Sequence, residues 1–268
     1  GCREDCQELA GIIREHAAIR DSQADRIAGR LCELLDFDHD LLDAMVADLR
    51  ARGTFVTRKH FADFLVEQGF AFLVSRASFR FHRMPRENER FTFTTYEEKP
   101  EPLQLVRAYE FTGEDGSPLI TGLSSWILAD PVARRIIPTK KFTLRPEITG
   151  QKEHDCLKYG KISLPDAASL VLLDERKIRW SDIDGNGHTN NSRYGAFLAD
   201  ALPAAYRKKQ FTDFRINYSK EAMLDETMQV SGFFDDQAKK AVILGKVVKT
   251  AGGEDCDSVS FEAELYWR

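Results

Sequence analysis

Apolar and polar positions alternate in two regimes along the chain, and the pair of regimes occurs twice. From Arg30 to Arg52, Leu31, Leu34, Leu35, Leu41, Leu42, Met45, Val46 and Leu49 recur mostly at helical spacing, with Gly53 as a stop. Residues 3–16 and Phe61–Gln68 predict shorter helical pieces, the second closed by Gly69, and Ala17–Asp25 predicts a short strand and turn. Beyond Gly69 the period drops to two. Phe70–Phe81, Phe91–Tyr96, Leu103–Phe111 and Leu119–Asp130 predict antiparallel strands, with Asp115-Gly116 as a hairpin turn. Residues 142–177 break the rhythm with Pro146, Gly150, Gly160, Pro165 and many charges. They predict a long surface connection, which inside a compact domain marks a junction. The pattern then restarts: a strand over Arg176–Asp182, a helix over Asn190–Tyr206, and strands over Phe211–Tyr218, Thr227–Phe234, Ala241–Thr250 and Ser258–Trp267, with a turn at Gly252-Gly253. In the last strand Val259, Phe261, Ala263, Leu265 and Trp267 share one face, and Ser260, Glu262, Glu264 and Tyr266 the other.

The halves share residues as well as element order. Ile19-Arg20-x-Ser22-x-x-Asp25 matches Ile178-Arg179-x-Ser181-x-x-Asp184, and Phe79-Arg80-Phe81 matches Phe214-Arg215-Ile216. Two matches at equivalent places point to duplication. The expected class is α+β in two tandem units, 1–141 and 176–268, joined by 142–175.

Composition narrows the function. With 268 residues, 43% of them hydrophobic, the chain can bury a core, and a net charge of −5 gives nucleic acid no basic face to bind. No apolar run approaches the ~18 residues of a membrane helix, and the first residues carry no hydrophobic signal stretch. Cys2, Cys6, Cys32, Cys156 and Cys256 are odd in number, scattered and without CxxC. Neither a zinc site nor a disulfide framework is expected, and the chain reads as cytoplasmic. No cofactor is expected, since GxxxxGK[ST] and GxGxxG are both missing; so is the GxSxG of serine hydrolases.

Chemistry concentrates in Trp180-Ser-Asp182-Ile-Asp184-Gly-Asn186-Gly-His188-Thr-Asn190-Asn191-Ser-Arg-Tyr194, where a strand gives way to a helix. A turn with a helix cap explains Asp184-Gly185, Asn186-Gly187 and Asn190 or Asn191. A calcium loop would use Asp182, Asp184, Asn186 and Gly187, but Arg193 stands where a bidentate Glu belongs and a strand precedes the loop. A catalytic cluster is the third reading. Thioester hydrolysis needs a base or nucleophile and donors for the oxyanion, which carboxylates, Asn, His and helix-start N–H groups supply.

The run Ser181–Tyr194 strongly resembles the second half of the acyl-acyl-carrier-protein thioesterases. The likeness extends to Phe72-Leu-Val-Ser-Arg76, Pro85, Arg107-x-Tyr-x-Phe111, Asp115-Gly116, Trp126 and Asp130, over roughly residues 17–268. This resemblance implies two tandem hotdog units, each an antiparallel sheet wrapped around a long central helix. It places Asp184, Asn186 and His188 on the family's catalytic residues and Glu221, in Tyr218-Ser-Lys-Glu221, on its remaining acid. Some relatives carry a proposed nucleophilic cysteine at the next position; Ala222 stands there, which closes that route.

Opposite Asn186 and His188 the first half has Ile27 and Gly29, so one active site per chain is expected. The first half is then free to shape an acyl pocket, with Phe37, Met45, Phe70 and Phe72 as candidates, and Asn190 and Asn191 as substrate contacts beside the motif. The resemblance implies hydrolysis of fatty acyl-acyl carrier protein in fatty acid biosynthesis. Acyl-CoA as substrate, or a double-hotdog dehydratase or hydratase of 3-hydroxyacyl thioesters, are the alternatives. An acidic carrier would meet Arg134, Arg135, Lys140 and Lys141, or Arg207, Lys208 and Lys209. A homodimer is left open.

Overall fold

The computed structural model describes residues 65–143, 148–184, 187–248, 250–251, 254–255 and 257–268. The helices expected over 3–16 and 30–52, the strand at 17–25, Phe37, Met45, Asn186 and the Gly252-Gly253 turn lie outside them. The described residues fall into two compact units. One holds the chain up to Leu73 with Thr95–Val106 and Ile127–Gln151; the other holds Val74–Thr94, Arg107–Trp126 and Lys152–Arg268.

The first unit contains the ends of strands β2 (Phe91–Glu101), β3 (Gln104–Gly113) and β4 (Pro118–Asp130). A short strand β5 (Arg135–Ile136) pairs antiparallel with β4, Ala129 opposite Ile136. Thr139 closes this end, its N–H donating to Pro102 O at 3.0 Å and its Oγ1 to Glu101 O at 2.8 Å. Phe70 and Phe72 both meet the Phe142 ring edge-on, with centroids 5.3 Å apart in each case.

The second unit carries parts of every strand of the main sheet, whose order is β2-β3-β4-β1-β7-β12-β9-β8-β6. Here β1 is Ala71–Phe81, β6 Val171–Lys177, β7 Phe211–Tyr218, β8 Thr227–Asp235, β9 Lys240–Val248 and β12 Ser258–Trp267. Two-residue strands β10 (Thr250–Ala251) and β11 (Glu254–Asp255) pair separately. The β1–β7, β7–β12, β12–β9, β9–β8 and β8–β6 pairs are all antiparallel. Outward from the β1–β7 junction the order is first, fourth, third, second strand on both sides. The matched residues meet at that junction: Phe79 pairs with Phe214, and Arg80 Nε donates to Asp213 Oδ1 at 2.8 Å. A local two-fold relation between the β1 and β7 strands passes through the Phe79–Phe214 pair. The β3–β4 hairpin turns where expected, with Gly116 at φ +80° and Asp115 Oδ1 accepting from Ser117 N at 2.9 Å.

Helix α1 (Asn191–Ala201) lays Tyr194, Phe197, Leu198 and Ala201 on the β7–β12–β9–β8 face, where Ile216, Phe261, Ile243 and Val230 are also buried. Each large apolar side chain so buried contributes roughly 1.5–3 kcal/mol. At 11 residues the helix spans about 16 Å. It is shorter than the predicted Asn190–Tyr206 because Leu202, which precedes Pro203, takes an extended conformation at ψ 129°.

One other expectation is corrected. The strand predicted at Arg176–Asp182 runs earlier, over Val171–Lys177, and Trp180–Asp182 is a 3-10 turn. There the Asp182 carboxylate accepts the Arg179 N–H at 2.9 Å and so competes with extended pairing. Half of the residues in 152–165 are exposed, while Cys156, Tyr159 and Ile162 among them are buried. The segment is tied to the sheet by Ser78 Oγ donating to Leu157 O, Thr121 Oγ1 to Asp155 Oδ1 at 2.6 Å, and Arg215 Nη2 to Lys161 O at 3.3 Å. Among the described residues no helix is long and apolar enough to cross a membrane, which says nothing of strands.

Candidate active site

Asp184 and His188 are brought together next to a short antiparallel contact. Ile183 bridges Thr189, the Asp184 N–H donates to His188 O at 3.0 Å, and the Gly187 N–H donates to Asp184 O at 3.1 Å. Gly187 adopts φ +85°, a conformation that favours glycine. His188 and Thr189 dock on the segment that leaves β7: Thr189 donates to Ala222 O through both its N–H and its Oγ1, each at 2.8 Å, and His188 bridges Met223. This docking, rather than sequence proximity, brings His188 to Glu221.

Glu221 Oε1 lies 3.5 Å from His188 Nε2, and Asp184 Oδ1 lies 3.9 Å from His188 Nδ1. Asp184 and His188 are about one-fifth exposed, whereas the Glu221 side chain is 60% exposed. The imidazole is therefore flanked by a carboxylate at each nitrogen, one recessed and one facing solvent. His188 Nδ1 is buried and has no hydrogen-bond partner among the described residues. Long contacts of this kind are usual before a substrate tightens a site. Asn186 is outside the described residues.

The other motif residues build the frame. Asn190 caps α1, its Oδ1 accepting from Ser192 N at 2.9 Å and Ser192 Oγ at 2.8 Å. Asn191 is the first residue of the helix. Asp182 is buried, and its two oxygens receive the Arg179 N–H and Arg193 Nε, both at 2.9 Å. That use leaves Asp182 as an anchor for Arg193 rather than a calcium ligand.

Sequence reading missed the hydroxyls beneath Glu221. Tyr194 OH accepts from Ala222 N at 3.3 Å and lies 3.1 Å from Ser260 Oγ, which donates to Lys220 O at 2.7 Å. Alternation put Ser260 on the polar face of β12. A bulge between Val259 and Phe261 makes Ser260 the extra residue, and it is buried. Burial raises the phenol pKa values of Tyr194 and Tyr218, so both stay protonated at neutral pH.

Of the basic clusters, Arg134, Arg135, Lys140 and Lys141 are exposed in the first unit, with Arg135 3.8 Å from Asp130. Arg207 Nε donates to Leu202 O at 2.7 Å at the C-terminal end of α1, while Lys208 and Lys209 are exposed.

Residues 170–264 match the family model for the acyl-ACP thioesterase C-terminal domain. A chloroplastic palmitoyl-acyl carrier protein thioesterase from Gossypium hirsutum is 23% identical over 144 residues, covering 50% of this chain and 34% of that one. The chain thus spans about a third of the length of the curated relatives it matches. An acyl-ACP thioesterase from Bacteroides thetaiotaomicron superposes with TM-score 0.64 at 18% identity, over 77% of this chain and 80% of its own. The 12:0-ACP thioesterase from Umbellularia californica gives TM-score 0.64 at 17% identity, over 85% and 89%. The chain shares the hotdog-type antiparallel fold of these proteins and resembles the acyl-ACP thioesterases, as its motif implies.

Proposed function

We propose that this protein hydrolyses fatty acyl thioesters, with acyl-acyl carrier protein as the substrate, and releases free fatty acid and the carrier thiol. The observation that carries the reading is the convergence of Asp184, His188 and Glu221, from two separate segments, at the start of α1. In this reading Glu221 takes a proton from water, and the resulting hydroxide adds to the thioester carbonyl. His188 and Asn186 donate to the oxyanion, and Asp184 orients the imidazole. Collapse breaks the C–S bond, and the thiolate takes up the proton. Ala222 leaves no thiol beside Glu221. Phe70 and Phe72, with Phe37 and Met45, are the proposed acyl contacts, and Asn190 and Asn191 the contacts near the reacting carbonyl. The proposed division remains 1–141, 142–175 and 176–268.

Thiol release from acyl chains of different length, each on acyl carrier protein and on CoA, tests the proposal. We expect turnover on the carrier protein, and a fall of about 10²–10⁴ in kcat for Glu221→Ala. No thiol release from any thioester overturns the reading. Wild-type turnover in Glu221→Ala removes that residue from the mechanism. Dehydration of a 3-hydroxyacyl thioester without thiol release would move the chain to the dehydratases.

A further inference from the structure

We infer that Tyr194 and Ser260 are positioning residues that hold the Glu221 backbone so that its carboxylate faces His188. The inference rests on the proposed hydrolase reading for its catalytic consequence, but not for its geometry.

The carboxylate at position 221 is mostly exposed, and among the described residues its side chain is held only by His188. The peptide groups on either side of it are fixed. Ser260 Oγ donates to the carbonyl of Lys220, which precedes Glu221, and Tyr194 OH accepts the N–H of Ala222, which follows it. A carbonyl only accepts, so Ser260's single proton is committed to Lys220 O. The Ser260 and Tyr194 hydroxyls lie 3.1 Å apart, within hydrogen-bonding distance of each other. Two hydroxyls thereby close a ring around residue 221, from Lys220 C=O through Ser260 and Tyr194 to Ala222 N–H. Thr189 pins the next carbonyl, Ala222 O, and is the neighbour of His188. Base and imidazole are therefore referenced to one rigid frame.

Each part of that frame has a structural cause. The β12 bulge turns Ser260 inward next to Phe261, where regular alternation would send it to the opposite face. Ser219 N and Lys220 N donate to Ser260 O and Val259 O, so the chain leaving β7 follows the bulge. Tyr194, Ser260, Thr189 and Ala222 are each no more than 2% exposed, so water cannot substitute for the hydroxyls. The Tyr194 ring is packed against Phe261 and Phe197, with centroids 5.3 and 5.9 Å away, which leaves the hydroxyl little freedom.

The test compares Tyr194→Phe, Ser260→Ala and the conservative Ser260→Thr with wild type and Glu221→Gln. Two readouts run in parallel: kcat and KM for thiol release, and the nuclear Overhauser contact between the Glu221 γ-protons and the His188 ring. For Tyr194→Phe and Ser260→Ala we expect the contact to weaken and kcat to fall about 10²-fold, the usual cost of misplacing a reacting group by about 1 Å. KM should stay unchanged, and Ser260→Thr should recover most of the loss. In the Glu221→Gln background, Tyr194→Phe should lower kcat no further. If both hydroxyl variants keep the contact and wild-type kcat, or if Tyr194→Phe is fully additive with Glu221→Gln, the inference is overturned. Should Tyr194→Phe fail to fold, Ser260→Ala carries the same test. A wild type that shows the contact, loses it in the variants and yet releases no thiol leaves the clamp standing and overturns the hydrolase reading instead.

Discussion

Removing the Asp182 carboxylate tests whether the motif is a built frame or a loose turn. Asp182 is 2% exposed and satisfies two donors, the Arg179 N–H and Arg193 Nε, each at 2.9 Å. Its own carbonyl also takes the Asn190 N–H at 2.8 Å, so the turn and the helix cap meet at this residue. A hydrogen bond to a charged group contributes about 1.5–3 kcal/mol. The Arg193 bond is discounted to about 0.5–1 kcal/mol, because that side chain is 40% exposed and water can re-solvate it. Asp182→Ala should therefore cost about 2–4 kcal/mol. At roughly 2–4 °C per kcal/mol for a chain of this size, the melting temperature should drop by about 4–16 °C. Asp182→Asn keeps one acceptor and should fall between. Thermal unfolding by circular dichroism, with chelator and with added calcium, is the assay. A drop under about 1 °C in Asp182→Ala would refute the reasoning. So would a calcium-dependent rise in the wild type that the variant lacks, since it would make Asp182 a ligand.

Gly245 faces the Phe261 ring so closely that a Cβ would overlap it, and Phe261 is fully buried. Gly245→Ala should thus lower stability by about 1–3 kcal/mol in the same melting assay. Burial, aided by the Asp155 charge, pushes the Cys156 thiol from 9.0 up to about 11. The native state therefore holds this proton more tightly than the unfolded chain. The associated stability is present below about pH 9 and lost as pH rises towards 11; peptide-resolved alkylation at pH 8 should find Cys156 protected until the protein unfolds. For carrier docking, Lys208→Glu with Lys209→Glu spares Arg207, which caps Leu202 O. If that cluster docks the carrier, KM for carrier-bound substrate should rise and turnover of a short soluble thioester should hold; if it does not, the same comparison on Lys140 and Lys141 decides for the other cluster.

How much could be read from the sequence depends on whether the causes were local. Strands β7 and β12 have the predicted bounds, because their sequence alternates with a period of two and neither glycine nor proline interrupts them. β6 was displaced because Glu175 and Arg176 stand on an edge strand, where polar residues are tolerated, and because the Asp182 turn is written in a single side chain. The helix end required giving Pro203 its effect on the residue before it. Asp184 and His188 were legible from the motif, but the approach of Glu221 depends on the docking of Thr189 on Ala222, a contact between residues 33 positions apart. The Ser260 bulge has no mark at all, since Val-Ser-Phe-Glu-Ala alternates as regularly as any strand.

The repeat also explains what it does not conserve. The pairing of Phe79 with Phe214 maps Arg80 onto Arg215 and Ser78 onto Asp213. A faithful duplicate would place an Arg–Asp pair on both sides of that point. Only Arg80–Asp213 exists; across the relation Arg215 faces Ser78. Without a carboxylate opposite, Arg215 turns along its sheet to Glu264 at 3.4 Å, a buried acid also held by Lys240 at 2.5 Å. Its guanidinium then reaches Lys161 O, and Ser78, relieved of any partner across the strand, donates to Leu157 O. Ser78 and the Arg215 it leaves without a carboxylate opposite are thus two of the side chains that catch the 152–165 segment. Restoring the symmetry with Ser78→Asp should pair position 78 with Arg215 and release both tethers. The 152–165 backbone should then become accessible to protease while β1 and β7 stay paired. Unchanged protection of that segment would show that its buried Cys156, Tyr159 and Ile162 hold it without the tethers.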